Sequence, residues 1–152
     1  MITKSKIQTQ KFAAKLAGRI INSKTYYLRP KIIALQGDLG AGKTAFVQGF
    51  MKALGVKHRI TSPTFLIIRK YKLSDKRQAA GNMFHHAFHL DLYRIRKPRE
   101  LLALGFKKII SDPRNIVLIE WPEVIKKLLP KNTIWIHLKH GKKYNERIII
   151  VH

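Results

Sequence analysis

The sequence predicts an α/β protein in which helices cover a mostly parallel central sheet. Residues 31–54 have the pattern of a strand, a glycine-rich loop and a helix, which is the order of a phosphate-binding βα unit. Farther along, Ile116–Ile119 is a second wholly apolar run of strand length, as expected for a strand that a parallel sheet buries on both faces. At 152 residues, the chain is expected to fold as one domain over residues 1–152.

The glycine-rich loop, residues 37–44, matches the phosphate-binding pattern G-x-x-x-x-G-K-[ST]. The run before it, Lys31–Gln36, is mainly apolar and predicts a strand, and Ala45–Leu54 predicts a helix that Gly55 ends. Glycines without a Cβ let successive backbone N–H groups approach an anion, and the helix dipole adds to the positive field. The loop therefore predicts a bound ATP or GTP.

Two side chains of this motif carry its charge and its metal chemistry. The Lys43 ammonium is expected to bind the outer phosphates, and the Thr44 hydroxyl is expected to bind a Mg²⁺ ion that bridges them. The residues expected to contact the nucleotide are Gly37, Asp38, Leu39, Gly40, Ala41, Gly42, Lys43, Thr44 and Ala45.

The chain is strongly basic, with 31 Lys and Arg residues against 8 Asp and Glu residues and a formal net charge of +23. An excess of this size favours contact with polyanions, above all nucleic acid. The basic residues are spread along the chain without a tail, so a merely solvated basic surface is an equal alternative. Because acids are scarce, an acid beside an apolar strand is notable, and Asp91, Glu120 and Glu123 are such residues.

Composition excludes several kinds of site. The chain has no cysteine, which excludes disulfides, thiolate zinc sites and cysteine nucleophiles. No apolar run approaches the length of about 18 residues that a membrane span needs, and residues 1–7 lack the apolar core of a signal peptide. We therefore expect a cytoplasmic protein without membrane contact.

The remaining elements are predicted from periodicity and turn residues. Segment 8–21 places Phe12, Leu16 and Ile20 on one face of a helix, with Thr9 as its N-cap. The other predictions are strands at 65–71 and 84–93 around a polar loop at 72–83, helices at 98–104 and 123–129, a loose helical continuation at 106–110, and a hairpin of strands 133–138 and 147–151.

Hydroxyl side chains cluster at Thr61, Ser62 and Thr64, around Pro63. The Ser-Pro pair favours an extended or turn conformation, in which hydroxyls commonly bond to neighbouring backbone groups. The alternative is that they reach a γ-phosphate or Mg²⁺, as the switch loops of nucleotide hydrolases do. The residue types alone favour the turn.

The alternation of strand 84–93 places His85, His89 and Asp91 on one face. A metal site built from these three side chains is one interpretation. A nucleotide, however, brings its own Mg²⁺, so a single acid at the end of a strand near the phosphate loop is the simpler interpretation. We therefore expect Asp91 to serve that Mg²⁺.

Glu120 directly follows the apolar run Ile116–Ile119, which is the pattern of a Walker B strand. In a parallel sheet, the carboxyl ends of this strand and of the phosphate-loop strand open on one crevice. Glu120 is therefore expected to point at the Mg²⁺ or its waters. Trp121, the next residue, is expected either in the core or at a rim over the nucleotide.

Taken in order, the motifs G-D-L-G-A-G-K-T, T-S-P-T-F, H-L-D-L-Y-R and L-I-E-W-P-E closely resemble those of the bacterial TsaE family, formerly YjeE, over nearly the whole chain. The resemblance implies a small ATPase with a P-loop NTPase-like three-layer sandwich, in which a mixed, mostly parallel sheet lies between helices. It also implies that ATP hydrolysis supports the threonylcarbamoyl modification of the adenosine beside the anticodon of tRNA. The implied partner is a TsaD–TsaB heterodimer, and the family does not carry out the transfer itself.

Residue by residue, the resemblance places Ser62 and Thr64 in a switch-like loop near the γ-phosphate, which reverses the preference for a plain turn. It places Asp91 near the metal and the attacking water, Glu120 as the Walker B acid, and Trp121 as the aromatic beside it. The implied catalytic residues are Lys43, Asp91 and Glu120, and the implied metal ligands are Thr44, Asp91 and Glu120. The polar loop at 72–83, His85, His86 and the basic surface depart from the family pattern, and that surface is a candidate contact to tRNA.

Two other functions fit parts of the sequence. A small-molecule kinase shares the phosphate loop and would need an arginine-rich lid, for which Arg94, Arg96 and Arg99 are the only cluster. A basic nucleic-acid-binding module would bind oligonucleotides without using the phosphate loop, and its affinity would fall steeply with salt. A GTPase would need the motifs N-K-x-D and D-x-x-G, and neither is present.

Overall fold

The central feature of the fold is a sheet between two helical layers. The computed structural model describes residues 1–22, 29–63, 65–74 and 84–152. The strands in these ranges are β1 (Ile2–Thr3), β2 (Lys31–Gln36), β3 (Ile68–Lys72), β4 (His86–Asp91), β5 (Asn115–Glu120), β6 (Ile134–His140) and β7 (Arg147–Val151). The helices are α1 (Lys6–Asn22), α2 (Lys43–Ala53), α3 (Pro98–Ala103) and α4 (Phe106–Ser111), together with a 3₁₀ helix at Pro122–Leu128.

The strands of the described residues form a 7-stranded sheet in the order β1-β7-β6-β2-β5-β4-β3. Strands β6, β2, β5 and β4 are parallel to one another. Strands β7 and β3 run antiparallel to their neighbours, so the sheet is mixed and mostly parallel. The fold class that the sequence predicts, α/β with a mostly parallel central sheet, is confirmed.

Each face of the sheet is covered by its own apolar core, which gives the fold three layers. On one face, Phe46 and Phe50 of α2 and Ala13 of α1 pack against the sheet. On the other face, Leu101 of α3 and Phe106 of α4 do so. Full burial of a large apolar side chain contributes about 1.5–3 kcal/mol, so these contacts hold the helical layers in place. Among the described helices, none has both the length and the apolar character needed to cross a membrane.

Helices α1 and α2 approach closely because α2 presents a glycine to α1. A Cβ at Gly49 would lie 2.2 Å from the carbonyl oxygen of Gln10 and 2.5 Å from its Cα. The side chains of Gln10 and Gln48 bond to each other across the same contact, with 3.0 Å between Nε2 and Oε1. Helix α1 therefore lies directly against the helix that begins at the phosphate loop.

The prediction that Thr9 caps the first helix is wrong. The helix begins at Lys6, and the Gln8 N–H donates to Ser5 Oγ at 3.2 Å, so Ser5 occupies the capping position. Thr9 is buried, and its hydroxyl bonds to Thr3 Oγ1 at 2.8 Å. Thr3 belongs to β1, which pairs with β7 near the other end of the chain. This strand was not predicted, because its two residues carry no periodic pattern.

The later helices also differ from the predictions. Gly105 has a left-handed φ of 81° and begins α4, so residues 106–111 form a separate helix and not a continuation of α3. The segment expected as an α-helix at 123–129 is a 3₁₀ helix that begins with Pro122. Residues 75–83 of the predicted polar loop lie outside the described residues.

Replacing Gly49 with alanine is expected to destabilise the fold, because the added methyl group would clash with the Gln10 backbone and force α1 and α2 apart. We expect the free energy of unfolding to fall by about 1–3 kcal/mol, as for other overpacked cores, in a urea denaturation experiment. Gly18→Ala in α1 is the control, because a Cβ there meets no atom within 4 Å. The higher helix propensity of alanine should make that variant more stable by about 0.5–1 kcal/mol. Equal effects from the two substitutions would contradict the close helix contact.

Candidate functional site

A cavity of about 400 Å³ opens at the carboxyl ends of β2, β4 and β5. It lies where the sheet register aligns Leu35 of β2 and Asp91 of β4 with Glu120 of β5. The described residues that line it are Leu39, Gly40, Gly42, Lys43, Thr44, Ala45, Ser62, Asp91, Tyr93, Glu120 and Trp121. Most of the site residues predicted from the sequence therefore surround one cavity, while Gly37, Asp38 and Ala41 belong to the same loop but do not line it.

The phosphate loop depends on glycine at three positions. Gly40 and Gly42 have φ values of +74° and +100°, which residues with a Cβ rarely adopt. Gly37 has a φ of +151°, and a Cβ there would lie 2.2 Å from the Leu138 carbonyl oxygen of β6. These glycines bring the chain to the start of α2, so the positive end of that helix dipole borders the cavity.

Lys43 folds back onto the loop that precedes it. Its Nζ donates to the carbonyl oxygens of Gly37 at 2.6 Å and Asp38 at 2.9 Å. The ammonium also lies 3.6 Å from the centroid of the Trp121 ring, which is a cation–π contact. Burial lowers the pKa of Lys43 below its usual range, and the carboxylate of Glu120 is the strongest of the nearby charges that oppose this shift.

Glu120 carries a buried carboxylate, with 2% of the residue exposed. The Thr44 hydroxyl donates to it, with Oγ1 at 3.2 Å from Oε1 and 3.1 Å from Oε2. His89 Nε2 lies 2.8 Å from Oε1. His89 is paired with Leu118 in the sheet and therefore shares a face with Glu120, two residues farther along β5. One carboxylate thus joins the start of α2 to two neighbouring strands.

His89 donates to Glu120 from an enclosed position. The residue is completely buried, and Nδ1 has no hydrogen-bond partner in the described part of the chain. Because a carboxylate oxygen accepts hydrogen bonds, Nε2 is the donor of the bond to Glu120.

Asp91 faces the same cavity from the end of β4. The Ser62 hydroxyl donates to Oδ2, and the Tyr93 N–H donates to Oδ1 at 3.1 Å. Because Asp91 is paired with Glu120 in the sheet, two acids end adjacent strands at this cavity. Ser62 is thereby brought into the site, whereas Thr64, the other hydroxyl predicted there, lies outside the described residues.

Trp121 lies at the rim of the cavity and packs over Lys43. Its φ of 58° is left-handed and turns the chain out of β5. The ring also packs against Tyr93, with 5.1 Å between the ring centroids. Of the two positions considered from the sequence, core or rim, the structure favours the rim.

The donors at the cavity fit Mg²⁺. The hydroxyl of Thr44 and the carboxylates of Glu120 and Asp91 offer oxygen ligands, and Mg²⁺ in nucleotide sites takes one or two protein oxygens and completes its shell with phosphates and waters. The alternative metal site of His85, His89 and Asp91 is not formed. His89 bonds to Glu120 instead, and no group of three or more His, Cys, Asp or Glu side chains that could hold a metal ion occurs within the described ranges.

Three contacts at the site are not predicted from the sequence. The first is the bond between His89 and Glu120. The sequence suggests His89 only as a metal ligand, although a histidine on the same strand face as Asp91 could also bond to an acid of the neighbouring strand. Arg147 Nε donates to the Gly40 carbonyl at 3.1 Å, and His140 Nε2 lies 3.2 Å from the Leu39 carbonyl. Both come from the β6–β7 hairpin, far along the chain from the loop, and no local pattern indicates either contact.

Comparison with known proteins gives matches along almost the whole chain. Residues 3–149 match the family model described as threonylcarbamoyl adenosine biosynthesis protein TsaE. A tRNA threonylcarbamoyladenosine biosynthesis protein TsaE from Rickettsia prowazekii is 36% identical over 150 residues, which cover 97% of this chain and 90% of the relative. A protein of the same name from Rickettsia typhi is 40% identical over 114 residues, which cover 74% of this chain and 72% of the relative.

A solved structure agrees with these matches. The crystal structure of YdiB from Bacillus subtilis aligns with a TM-score of 0.70 and 26% sequence identity, covering 98% of this chain and 80% of YdiB. The family resemblance carried by the four motifs is therefore confirmed. The chain belongs to the TsaE family, which takes part in the biosynthesis of threonylcarbamoyladenosine in tRNA.

Proposed function

We propose that the chain is an ATP hydrolase that uses Mg²⁺, and that its hydrolysis of ATP supports the threonylcarbamoylation of the tRNA adenosine beside the anticodon, together with a TsaD–TsaB complex. One observation carries the catalytic part: Lys43, Thr44, Asp91 and Glu120 border a single cavity. Membership of the TsaE family supports the part that concerns tRNA.

In this proposal, the loop and the start of α2 bind the phosphates. Backbone N–H groups and the Lys43 ammonium donate to phosphate oxygens, and each charge-assisted hydrogen bond contributes about 1.5–3 kcal/mol. Lys43 exchanges its bonds to the Gly37 and Asp38 carbonyl oxygens for bonds to phosphate, so part of that gain is offset.

Thr44 and Glu120 hold the metal ion through their side-chain oxygens. When bound, Mg²⁺ neutralises charge on the outer phosphates. Thr44 Oγ1 lies within 3.2 Å of both carboxylate oxygens, so the two ligands are already next to each other. His89 fixes the orientation of the Glu120 carboxylate by donating to Oε1.

Asp91 orients the attacking water. Its two oxygens accept from the Ser62 hydroxyl and the Tyr93 N–H, which fix the plane of the carboxylate. A carboxylate has about four acceptor positions, and in this proposal one of those of Asp91 accepts a hydrogen bond from the attacking water. Ser62 connects this acid to the switch-like segment.

The composition of the cavity supports dependence on a partner. No arginine is among the described residues that line it. An arginine finger is worth about 10³–10⁵ in the rate of phosphoryl transfer, because it stabilises charge in the transition state. Slow hydrolysis by the chain alone, and faster hydrolysis with its partners, are the consequence.

Binding and hydrolysis of ATP should separate by mutation. Lys43→Ala is expected to abolish nucleotide binding, because it removes the cation that pairs with the phosphates. Asp91→Ala and Glu120→Ala should spare most of the binding but slow hydrolysis by about a hundredfold or more, equal to about 2.7 kcal/mol of barrier. Calorimetric titration with ATP and single-turnover hydrolysis check the two effects, with Glu100→Ala, at an exposed position outside the cavity, as a matched loss of an acid. Unimpaired turnover in the Asp91 and Glu120 variants would refute the assignment.

The rate of ATP hydrolysis should depend on the partners. The purified chain is expected to hydrolyse ATP slowly, and addition of the TsaD–TsaB pair with tRNA is expected to accelerate it. The measurement is phosphate release with each component alone and combined, with Lys43→Ala as the background. An equal rate with and without the pair would contradict the proposed partnership, and transfer of phosphate to a small molecule would favour a kinase.

His89 should act on the metal ion through Glu120. Because partners of metal ligands typically contribute about 10–100-fold to metal affinity or activity, His89→Ala is expected to weaken Mn²⁺ binding in the presence of a non-hydrolysable ATP analogue by a similar factor. Electron paramagnetic resonance of free Mn²⁺ measures this directly. His89→Gln, whose amide can still donate, should recover part of the loss. Equal Mn²⁺ affinity in the wild-type and alanine proteins would show that His89 serves packing alone.

A further inference from the structure

A second groove, of about 970 Å³, lies between α1, α2 and the segment 55–60. It shares no described lining residue with the cavity that holds Lys43 and Glu120. Its volume is more than twice the 400 Å³ of that cavity. Neither phosphate binding nor hydrolysis uses this groove, so its shape and charge require their own explanation.

The rim of the groove is basic. Lys11 of α1, Lys52 of α2, and Lys57 and Arg59 of the following segment line it, and all four side chains are exposed. No acid occurs among the described lining residues. Few acids are available to neutralise this positive charge, because Asp38 is the only acid in the first 74 residues of the sequence, which contain α1, α2 and the segment 55–60. A rim of this charge favours an occupant that carries negative charge.

The floor of the groove is aliphatic. Ile7 of α1 is 63% exposed beside it, and Ala14, Ala53 and Val56 also line it. Single-stranded nucleic acid is held by stacking of its bases on several aromatic rings, whereas His58 is the only ring among the described lining residues. A segment with apolar side chains on one face and carboxylates on its flanks matches both the floor and the rim.

Hydrogen bonds hold the walls of the groove in place. Gln10 of α1 donates to Gln48 of α2 at 3.0 Å, and Gln48 Nε2 in turn donates to the Ile60 carbonyl at 2.9 Å. The close contact at Gly49 fixes the distance between the two helices. A groove with fixed walls loses little conformational entropy when an occupant binds.

Residues 55–60 form the third wall of the groove, and the chain continues from them to the cavity that holds Asp91. Ile60 accepts the bond from Gln48, and two residues later the Ser62 hydroxyl donates to Asp91. An occupant that presses on residues 56–60 therefore acts on a short segment that ends at a carboxylate of the cavity.

From these observations we propose that the groove docks an acidic amphipathic segment of a protein partner. The inference rests on the proposed function in that the partner is taken to be the TsaD–TsaB pair. Carboxylates of the segment pair with Lys11, Lys52, Lys57 and Arg59, and its apolar side chains cover Ile7 and the aliphatic floor.

The test compares two variants of equal charge. Lys11→Glu combined with Lys52→Glu reverses the rim, and Lys107→Glu combined with Lys131→Glu makes the same charge change at exposed positions outside the groove. Calorimetric titration with purified TsaD–TsaB is expected to show affinity reduced about tenfold or more in the rim variant and much less in the control. Ile7→Asp, at an exposed position, should also weaken binding because it adds a carboxylate to the floor. Thermal unfolding checks that each variant is folded.

Each alternative result has a distinct meaning. Equal losses in the rim variant and the control would reduce the effect to general electrostatics and overturn the proposal. Unchanged affinity for TsaD–TsaB, with weaker binding of fluorescein-labelled tRNA in the rim variant alone, would make the groove a nucleic-acid site and overturn it as well. If the wild-type chain does not bind TsaD–TsaB at all, the proposed partnership fails, and the docking proposal fails with it.

Discussion

The arrangement of the site depends on one buried carboxylate, that of Glu120. A carboxylate that loses its water is costly, by several kcal/mol, unless hydrogen-bond donors replace the water. Thr44 and His89 supply those donors, the first from the phosphate-loop helix and the second from the adjacent strand. Both donor atoms lie within 3.2 Å of a carboxylate oxygen, so they replace part of the water that the group has lost. The same bonds hold α2, β4 and β5 together at the cavity. The fold and the site therefore both depend on the hydrogen bonds to Glu120.

The elements of the fold that were predicted correctly are those that short stretches of sequence encode. The strand, glycine-rich loop and helix of residues 31–54 form as predicted, and β5 is apolar along almost its whole length, so motif and periodicity are sufficient. The contacts that escaped prediction join distant segments: Thr9 bonds to a strand that pairs with β7, and Arg147 bonds to the phosphate loop. They depend on how the layers assemble, and no local pattern contains that information. The position of Trp121 was open for a similar reason, because it depends on a backbone angle and not on the residue type.

The two signs of charge are distributed unevenly over this molecule. Of its 8 acids, Asp91 and Glu120 are buried at the cavity, where the proposed function uses them toward a metal ion and a water molecule. The faces formed by α1 and by the segment after α2 are basic and carry no acid in the described residues. Fields from exposed charges are screened over about 8 Å at physiological salt, so the basic surface attracts negative partners at short range without neutralising the buried acids. In the two proposals above, the buried acids thus serve the metal ion and the water, and the exposed basic residues of the groove serve the partner.

The left-handed backbone of Trp121 has a consequence for the electrostatic field at the cavity. This conformation costs about 1–2 kcal/mol in a residue with a Cβ, and here it carries the indole from the end of β5 to a position 3.6 Å from the Lys43 ammonium. The ring keeps water away from one side of that charge. A lower local dielectric strengthens electrostatic attraction. The indole therefore reduces the screening of the Lys43 charge by water, and that charge acts more strongly on an anion in the cavity.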